Sequence, residues 1–270
     1  MVSKARTVTL LTDFGTRDHY VASMKGVLLA IDPELHIVDI THEVPKFDIR
    51  RAALLLANSA RFFPHGTIHV AVVDPGVGTS RRSIIIKTKN YYFVGPDNGV
   101  LSVAAAGDGV KHVYQIREDG SYVLQRRSST FAGRDVFAPV AAHIAKGVPL
   151  EMLGEVIKSF KRIRISEPKR FGNRIDGEVL LIDAFGNIVT NIGDELIEDL
   201  EPGQRILVNV GGKLLRVPFL KTYGDVERGK PLALVGSTGL LEIGLNQGSI
   251  SCLLRNVKEG SRVSIQYSRE

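Results

Sequence analysis

Apolar and polar positions change rhythm along the chain in a way that separates two kinds of architecture. Short apolar runs of strand length at Thr7 to Thr12, His36 to Ile40 and Ile68 to Val73 alternate with segments of helical period at Tyr20 to Ile31 and Ile49 to Phe62. Two further short runs, Ser83 to Lys87 and Tyr91 to Val94, read as strands. Val100 to Ala106 and the stretch from about Val136 to Ala145 read as helices. This alternation predicts an α/β layer domain with a largely parallel sheet.

From Gly177 the period becomes that of strands punctuated by turns. Glu178 to Ile182, Ile188 to Asn191, Arg205 to Val210, Lys213 to Val217, Leu232 to Val235, Ser251 to Leu254 and Arg262 to Gln266 all have strand character. They predict a smaller C-terminal β-barrel or sandwich. The basic, proline-containing segment Ser166-Glu167-Pro168-Lys169-Arg170 marks the junction. The expected domains are residues 1–165 and 166–270, with a linker over about 166–175.

Composition narrows the class. The 270 residues carry 35 Lys and Arg against 29 Asp and Glu, a net charge of +6, but the basic residues are scattered rather than gathered in a stripe, which argues against a nucleic-acid partner. A single cysteine, Cys252, excludes an intrachain disulfide. No apolar run approaches membrane-spanning length and the N-terminus carries no continuous apolar signal region, so a soluble cytoplasmic protein is expected.

The chemistry concentrates where predicted strands end. Asp74-Pro75-Gly76-Val77-Gly78-Thr79-Ser80-Arg81-Arg82 follows the Ile68 strand, and its turn allows Arg81 to return toward Asp74; a Pro-Gly turn with a surface ion pair fits the same residues. Thr12-Asp13-Phe14-Gly15 ends the first strand at the same sheet edge. Asp13 suits either a diol such as ribose or an Asx-turn. In Asp183-Ala184-Phe185-Gly186-Asn187, Phe185 suits stacking on a base and Asn187 reading its edge, unless the segment is a plain β-turn. Glu242, within the glycine-rich run Gly236 to Gly248, suits an ammonium group or a solvent-facing place on an edge strand. The seven histidines show no metal-ligand spacing, and no phosphate-binding or nucleophile-elbow motif is present.

Taken in order, these stretches resemble the S-adenosyl-L-methionine (SAM) hydroxide adenosyltransferase family, also called SAM hydrolases, which is related to the SAM-dependent fluorinase and chlorinase. The carriers are TDFG at Thr12 to Gly15, THEVPKFDI at Thr41 to Ile49, VDPGVGTSRR at Val73 to Arg82, GPDNG at Gly95 to Gly99, TFAGRD at Thr130 to Asp135, DAFGNIVTN at Asp183 to Asn191 and STGLLEIGLNQG at Ser237 to Gly248. The resemblance implies a homotrimer with active sites between neighbouring subunits. It also implies conversion of SAM and water to adenosine and methionine, with SAM as substrate and neither metal nor other cofactor.

By the same resemblance Asp13 accepts the ribose diol, Asp183, Phe185 and Asn187 surround the nucleoside, and Phe47 lies against the substrate. Thr130 and Phe131 flank the ribose and the reacting carbon. Ser237 and Glu242 hold the methionine end, and Asn246 of the same motif is a further substrate-binding residue. Asp74, Arg81 and a histidine handle the water, but position 132, where the family carries that histidine, is Ala132. Alanine can neither accept nor carry a proton, so the departure bears on turnover rather than on binding. The readings that compete with hydrolysis are a SAM- or adenosine-binding protein without turnover and a SAM-dependent halogenase. A carboxylate at Asp74 disfavours the second by repelling an anion.

Overall fold

The computed structural model describes residues 7–125 and 129–268, which divide into two compact units, the first ending at Ile163 and the second beginning at Arg164. The first is built on β1 (Thr7–Thr12), α1 (Tyr20–Ile31), β2 (His36–Thr41), α2 (Ile49–Ala60), β3 (Ile68–Val72), β4 (Ser83–Thr88), β5 (Tyr92–Pro96), α3 (Ser102–Asp108) and β6 (Val110–Ile116). After these come a π-helical turn (Gly133–Phe137), α4 (Ala138–Ala145), α5 (Leu150–Leu153) and β7 (Gly154–Val156).

Its seven strands lie in the order β2-β1-β3-β5-β4-β6-β7. The pairs β1/β2, β1/β3 and β3/β5 are parallel, whereas β4/β5, β4/β6 and β6/β7 are antiparallel. The sheet is therefore mixed, which corrects the expected largely parallel one. Only a short turn joins β4 to β5, with Thr88 N donating to Tyr91 O at 3.0 Å, and a parallel pair needs a crossover of a dozen or more residues.

Strand alternation builds a core on each face of this sheet. Val8, Leu10, Val70, Val72 and Ile85 pack with Met24 and Leu28 of α1 and with α4, while Leu11, Ala71, Ile84 and Ile86 pack with Leu56 of α2, Ala105 of α3 and Leu101 just before it. With both faces covered, β1, β3 and β5 are buried along almost their whole length, and their C-terminal ends open at one edge.

The second unit comprises β8 (Lys169–Phe171), β9 (Arg174–Ile182), β10 (Ile188–Gly193), β11 (Arg205–Val210), β12 (Lys213–Pro218), β13 (Pro231–Val235), β14 (Leu240–Leu245), α6 (Ile250–Leu254) and β15 (Arg262–Gln266). The antiparallel order is β12-β11-β15-β9-β10-β14-β13, with β8 on β9, so the segment expected to be linker contributes a strand. A bridge from Phe219 to Ala233, with Leu220 N donating to Ala233 O at 2.8 Å, brings the β12 and β13 edges together into a nearly closed barrel. Ile206, Val208 and Val210 of β11 face its interior with Val263 and Ile265 of β15.

The strand expected over Ser251 to Leu254 is instead the short helix α6. Ser249 caps it by accepting a hydrogen bond from Cys252 N, which diverts an apolar run from strand to helix. Cys252 itself is an exposed free thiol. Among the described residues no helix is long and apolar enough to cross a membrane.

Candidate active site

In the first unit, two carboxylates stand just past neighbouring parallel strands. Asp13 follows β1, where Phe14 N donates to Thr12 Oγ1 (3.2 Å) and Gly15 N to His42 O (2.7 Å). Behind this turn Thr12 Oγ1 lies 2.8 Å from His42 Nδ1, and His42 Nε2 lies 3.1 Å from Asp39 Oδ1. Burial alone would raise the Asp39 carboxyl, but its bonds with Lys25 and His42 more than offset that and hold it below the usual range.

Asp13 is buried and held by two consecutive residues. Phe47 N donates to its Oδ2 at 2.9 Å, and Lys46 Nζ donates to its backbone oxygen. Phe47 adopts φ 67°, a left-handed conformation costing a bulky residue about 1–3 kcal/mol. The N-cap at Asp48, which accepts from Arg51 N, fixes the following helix and turns the ring outward, leaving it 67% exposed.

Asp74 follows β3 and pairs with Arg81. Both Nε and one terminal nitrogen of the guanidinium reach the same oxygen, Oδ2, at 2.8 and 2.6 Å. Both side chains are buried, so the surface ion pair weighed from sequence is an interior one. The other terminal nitrogen donates to Ser83 Oγ at 2.7 Å, and Ser83 donates onward to Glu118 Oε1. Asp74 Oδ1 is buried with no hydrogen-bond partner among the described residues.

A cavity of about 360 Å³ brings together Asp13, Phe47, Asp74, Thr130, Phe131 and Ala132 from the predicted set. Arg81 stands behind Asp74 rather than in the wall. Sequence reasoning missed Phe14, Asp18, Tyr20 and Lys46, which also line the cavity. Phe131 packs edge-on to Tyr20 and Phe14, with centroids 5.1 and 5.9 Å away, forming an apolar wall opposite the carboxylates. Among the described residues, three carboxylates and one ammonium line the cavity, and with Arg81 behind Asp74 counted the charge is still negative, which suits a cationic ligand.

In the second unit, Asp183 shapes its turn by accepting from Phe185 N (2.9 Å), Asn187 N (2.8 Å) and Asn187 Nδ2 (3.0 Å). The segment is thus the turn that the sequence allowed, and this turn leaves the Phe185 ring 78% exposed beside a buried Asn187. Glu242 is half-buried on β14, which runs between β10 and β13, so it does not lie on an edge strand. Tyr223, absent from the sequence-derived set, donates its hydroxyl to Glu242 Oε1.

Two glycines make room for this pair. A Cβ at Gly244 would fall 2.6 Å from Tyr223 Cε1, and one at Gly236 would collide with Glu242 Oε2. A capping box at Thr222 and Asp225 holds the short helix carrying Tyr223; those two residues were the signal available in the sequence. Burial pushes the Glu242 carboxyl up, with the Tyr223 bond opposing and the Asp183 charge reinforcing the shift. Burial and the bond to Glu242 push the Tyr223 hydroxyl up as well. Ser237 is exposed in the preceding turn. The Asn246 amide is engaged with Val226 O at 2.7 Å and holds the loop before β13.

No group of three or more His, Cys, Asp or Glu among the described residues could hold a metal ion. Comparison with known proteins adds to this geometry. Residues 8–154 match the SAM hydroxide adenosyltransferase N-terminal domain and residues 177–264 its C-terminal domain. The chain is 39% identical to a protein of Thermus thermophilus named (R)-S-adenosyl-L-methionine hydrolase, over 96% of this chain and 99% of that one. A fluorinase of an Actinoplanes species is 27% identical, with 96% of each chain covered. The crystal structure of an uncharacterized conserved protein from Thermotoga maritima superposes with a TM-score of 0.91 at 41% identity, covering 96% of this chain and 99% of that chain. With both of the family's domains matched in order along its length, the chain belongs to the SAM hydroxide adenosyltransferase family.

Proposed function

We propose that the protein hydrolyses SAM to adenosine and L-methionine, with water attacking the ribose 5′ carbon in line with the departing sulfur. The C–O bond forms as the C–S bond breaks, the electron pair passes to sulfur, and the water proton passes through Asp74 to solvent. The observation that carries this reading is the asymmetry of Asp74: Oδ2 is locked by Arg81 while Oδ1, buried and unpartnered, is left to hold and polarise a water. The sulfonium makes methionine a good leaving group, and the acidic cavity suits its charge.

Asp13, with Oδ2 engaged by Phe47 N, keeps Oδ1 for the ribose diol, and Thr130 and Phe131 flank the reacting carbon. Asp183, Phe185 and Asn187 serve the nucleoside, while Ser237 and Glu242 serve the methionine ammonium and carboxylate end. The loop-holding role of Asn246 makes it a support for that region. The (R) configuration in the relatives' name extends the proposal to the (R) epimer at sulfur. The working form is a soluble cytoplasmic homotrimer with sites shared between neighbouring subunits, and it requires no cofactor.

Halide transfer is disfavoured because Asp74 Oδ1, buried and without a hydrogen-bond partner among the described residues, presents an anion with a carboxylate oxygen and no donor. A binding protein without turnover is the second reading, favoured by Ala132: the buried wall at this position carries no proton-transferring group. Incubation with SAM and chromatography for adenosine and methionine separates them. The expected result is both products in equal amounts, with Asp74→Asn lowering turnover by about 100-fold or more while SAM affinity changes little. Retention of SAM unchanged by the wild-type protein would support the binding reading. Equal turnover of Asp74→Asn and wild type under saturating SAM would remove Asp74 as the group that activates water.

A further inference from the structure

The geometry points to Ser83 as a positioning residue that, with Glu118 behind it, keeps Arg81 on one oxygen of Asp74 and so preserves the other for water; this rests on the hydrolytic reading above. A guanidinium and a carboxylate left to themselves favour the fork-to-fork arrangement, in which two parallel N–H donors take one oxygen each. That arrangement is absent here. Nε and a terminal nitrogen of Arg81 converge on Oδ2, at 2.8 and 2.6 Å, and Oδ1 receives nothing from the described residues.

The reason lies at the far side of the guanidinium. Its remaining terminal nitrogen donates to Ser83 Oγ at 2.7 Å, and the same nitrogen lies 3.8 Å from Glu118 Oε1. Ser83 is 2% exposed and its hydroxyl is used in both directions, accepting from Arg81 and donating to Glu118. A hydroxyl with its proton committed to a carboxylate presents its lone pairs to the cation, so Glu118 both orients Ser83 and strengthens its hold on Arg81. The Phe137 ring, 5.5 Å from the guanidinium carbon, bounds the guanidinium on another side. Swinging the fork toward Oδ1 would require breaking the Ser83 bond inside a buried site, where a lost partner costs more than in water.

Ser83 begins β4, whereas Asp74 follows β3 and Glu118 follows β6. The sheet order sets β4 beside β6, so the antiparallel half of the mixed sheet supplies the anchor for a carboxylate presented by the parallel half.

The test combines kinetics with a structure that does not depend on turnover. In Ser83→Ala, kcat is expected to fall about 10-fold or more with KM within about 2-fold, because SAM binding does not need Asp74 Oδ1. Ser83→Thr, which keeps the hydroxyl, is expected to recover most of the rate, and Glu118→Gln, which keeps an acceptor but not the charge, to lie between. Crystal structures of wild type and Ser83→Ala are expected to show Arg81 on Oδ2 alone in the first and across both oxygens in the second. Arg81 remaining on Oδ2 in Ser83→Ala overturns the inference. So does a changed pairing with unchanged kcat, or a loss that Ser83→Thr does not recover. If wild type shows no hydrolysis, the functional reading fails by itself and the Arg81 pairing alone decides the role of Ser83.

Discussion

Ala132 leads into the π-helical turn and is 2% exposed on the wall of the cavity that holds Asp13 and Asp74. Because the position lines that cavity, Ala132→His is expected to fold and to raise SAM turnover by about 10-fold or more, a modest share of what a positioned acid or base contributes. A folded His variant that binds SAM and hydrolyses it no faster would show that this position takes no part in the reaction here. The sequence suffices to foresee such a residue because it belongs to a contiguous motif. Asp74 and Arg81 are legible for the same reason, lying seven residues apart across one turn. Ser83 and Tyr223 were not, since each acts through a partner on another element: Glu118 is 35 residues away and Glu242 19. Nor does any residue pattern announce φ 67° at Phe47, which arises only where the helix cap at Asp48 and the Asp13 carboxylate claim neighbouring backbone atoms.

At the scale of elements, periodicity located most strands and helices but left strand direction open. Ser83–Thr88 and Tyr92–Pro96 are apolar on both faces, a pattern shared by parallel strands and by antiparallel strands covered on both sides. The shortness of the turn between them carried the missing information. β3 offers a further consequence through His69, whose Nδ1 lies 2.8 Å from Thr9 Oγ1 on β1 and whose ring stacks on Phe93 of β5 at 5.1 Å. Burial drives this imidazole down to about 4, with Asp108 opposing weakly. Between the unfolded value near 6.5 and the folded value, the unfolded chain takes up a proton that the folded one refuses. Stability from this group is therefore complete above about pH 6.5 and is lost as pH falls toward 4, by up to about 3 kcal/mol. His69→Gln removes the titration while keeping a hydrogen-bonding group. Its unfolding free energy, from urea titrations at pH 7.5, 5.5 and 4.5, is expected to decline less steeply than that of wild type. Parallel declines would show that His69 is not the group responsible.

At the scale of the whole molecule, the net charge of +6 and the acidic cavity have opposite signs, so attraction of a sulfonium rests on the local field rather than on the total. The groups assigned to water and ribose, Asp74 and Asp13, belong to the first unit, and those assigned to the nucleoside and methionine, Asp183, Asn187 and Glu242, to the second. A chain carrying Asp74→Asn is damaged only in the first unit, and one carrying Asp183→Ala with Asn187→Ala only in the second. In sites shared between neighbouring subunits, co-assembly can join an undamaged first unit from one chain to an undamaged second unit from the other. With equal amounts mixing at random in a closed ring, about one site in four receives both. Co-expression of the two variants is thus expected to restore about a quarter of the wild-type rate, although each alone is nearly inactive. Sites formed within one chain permit no such exchange, because every chain then carries its own lesion into its own site. A co-expressed mixture no faster than its components, with mixed oligomers demonstrated by differential tagging, would place the complete site in a single subunit.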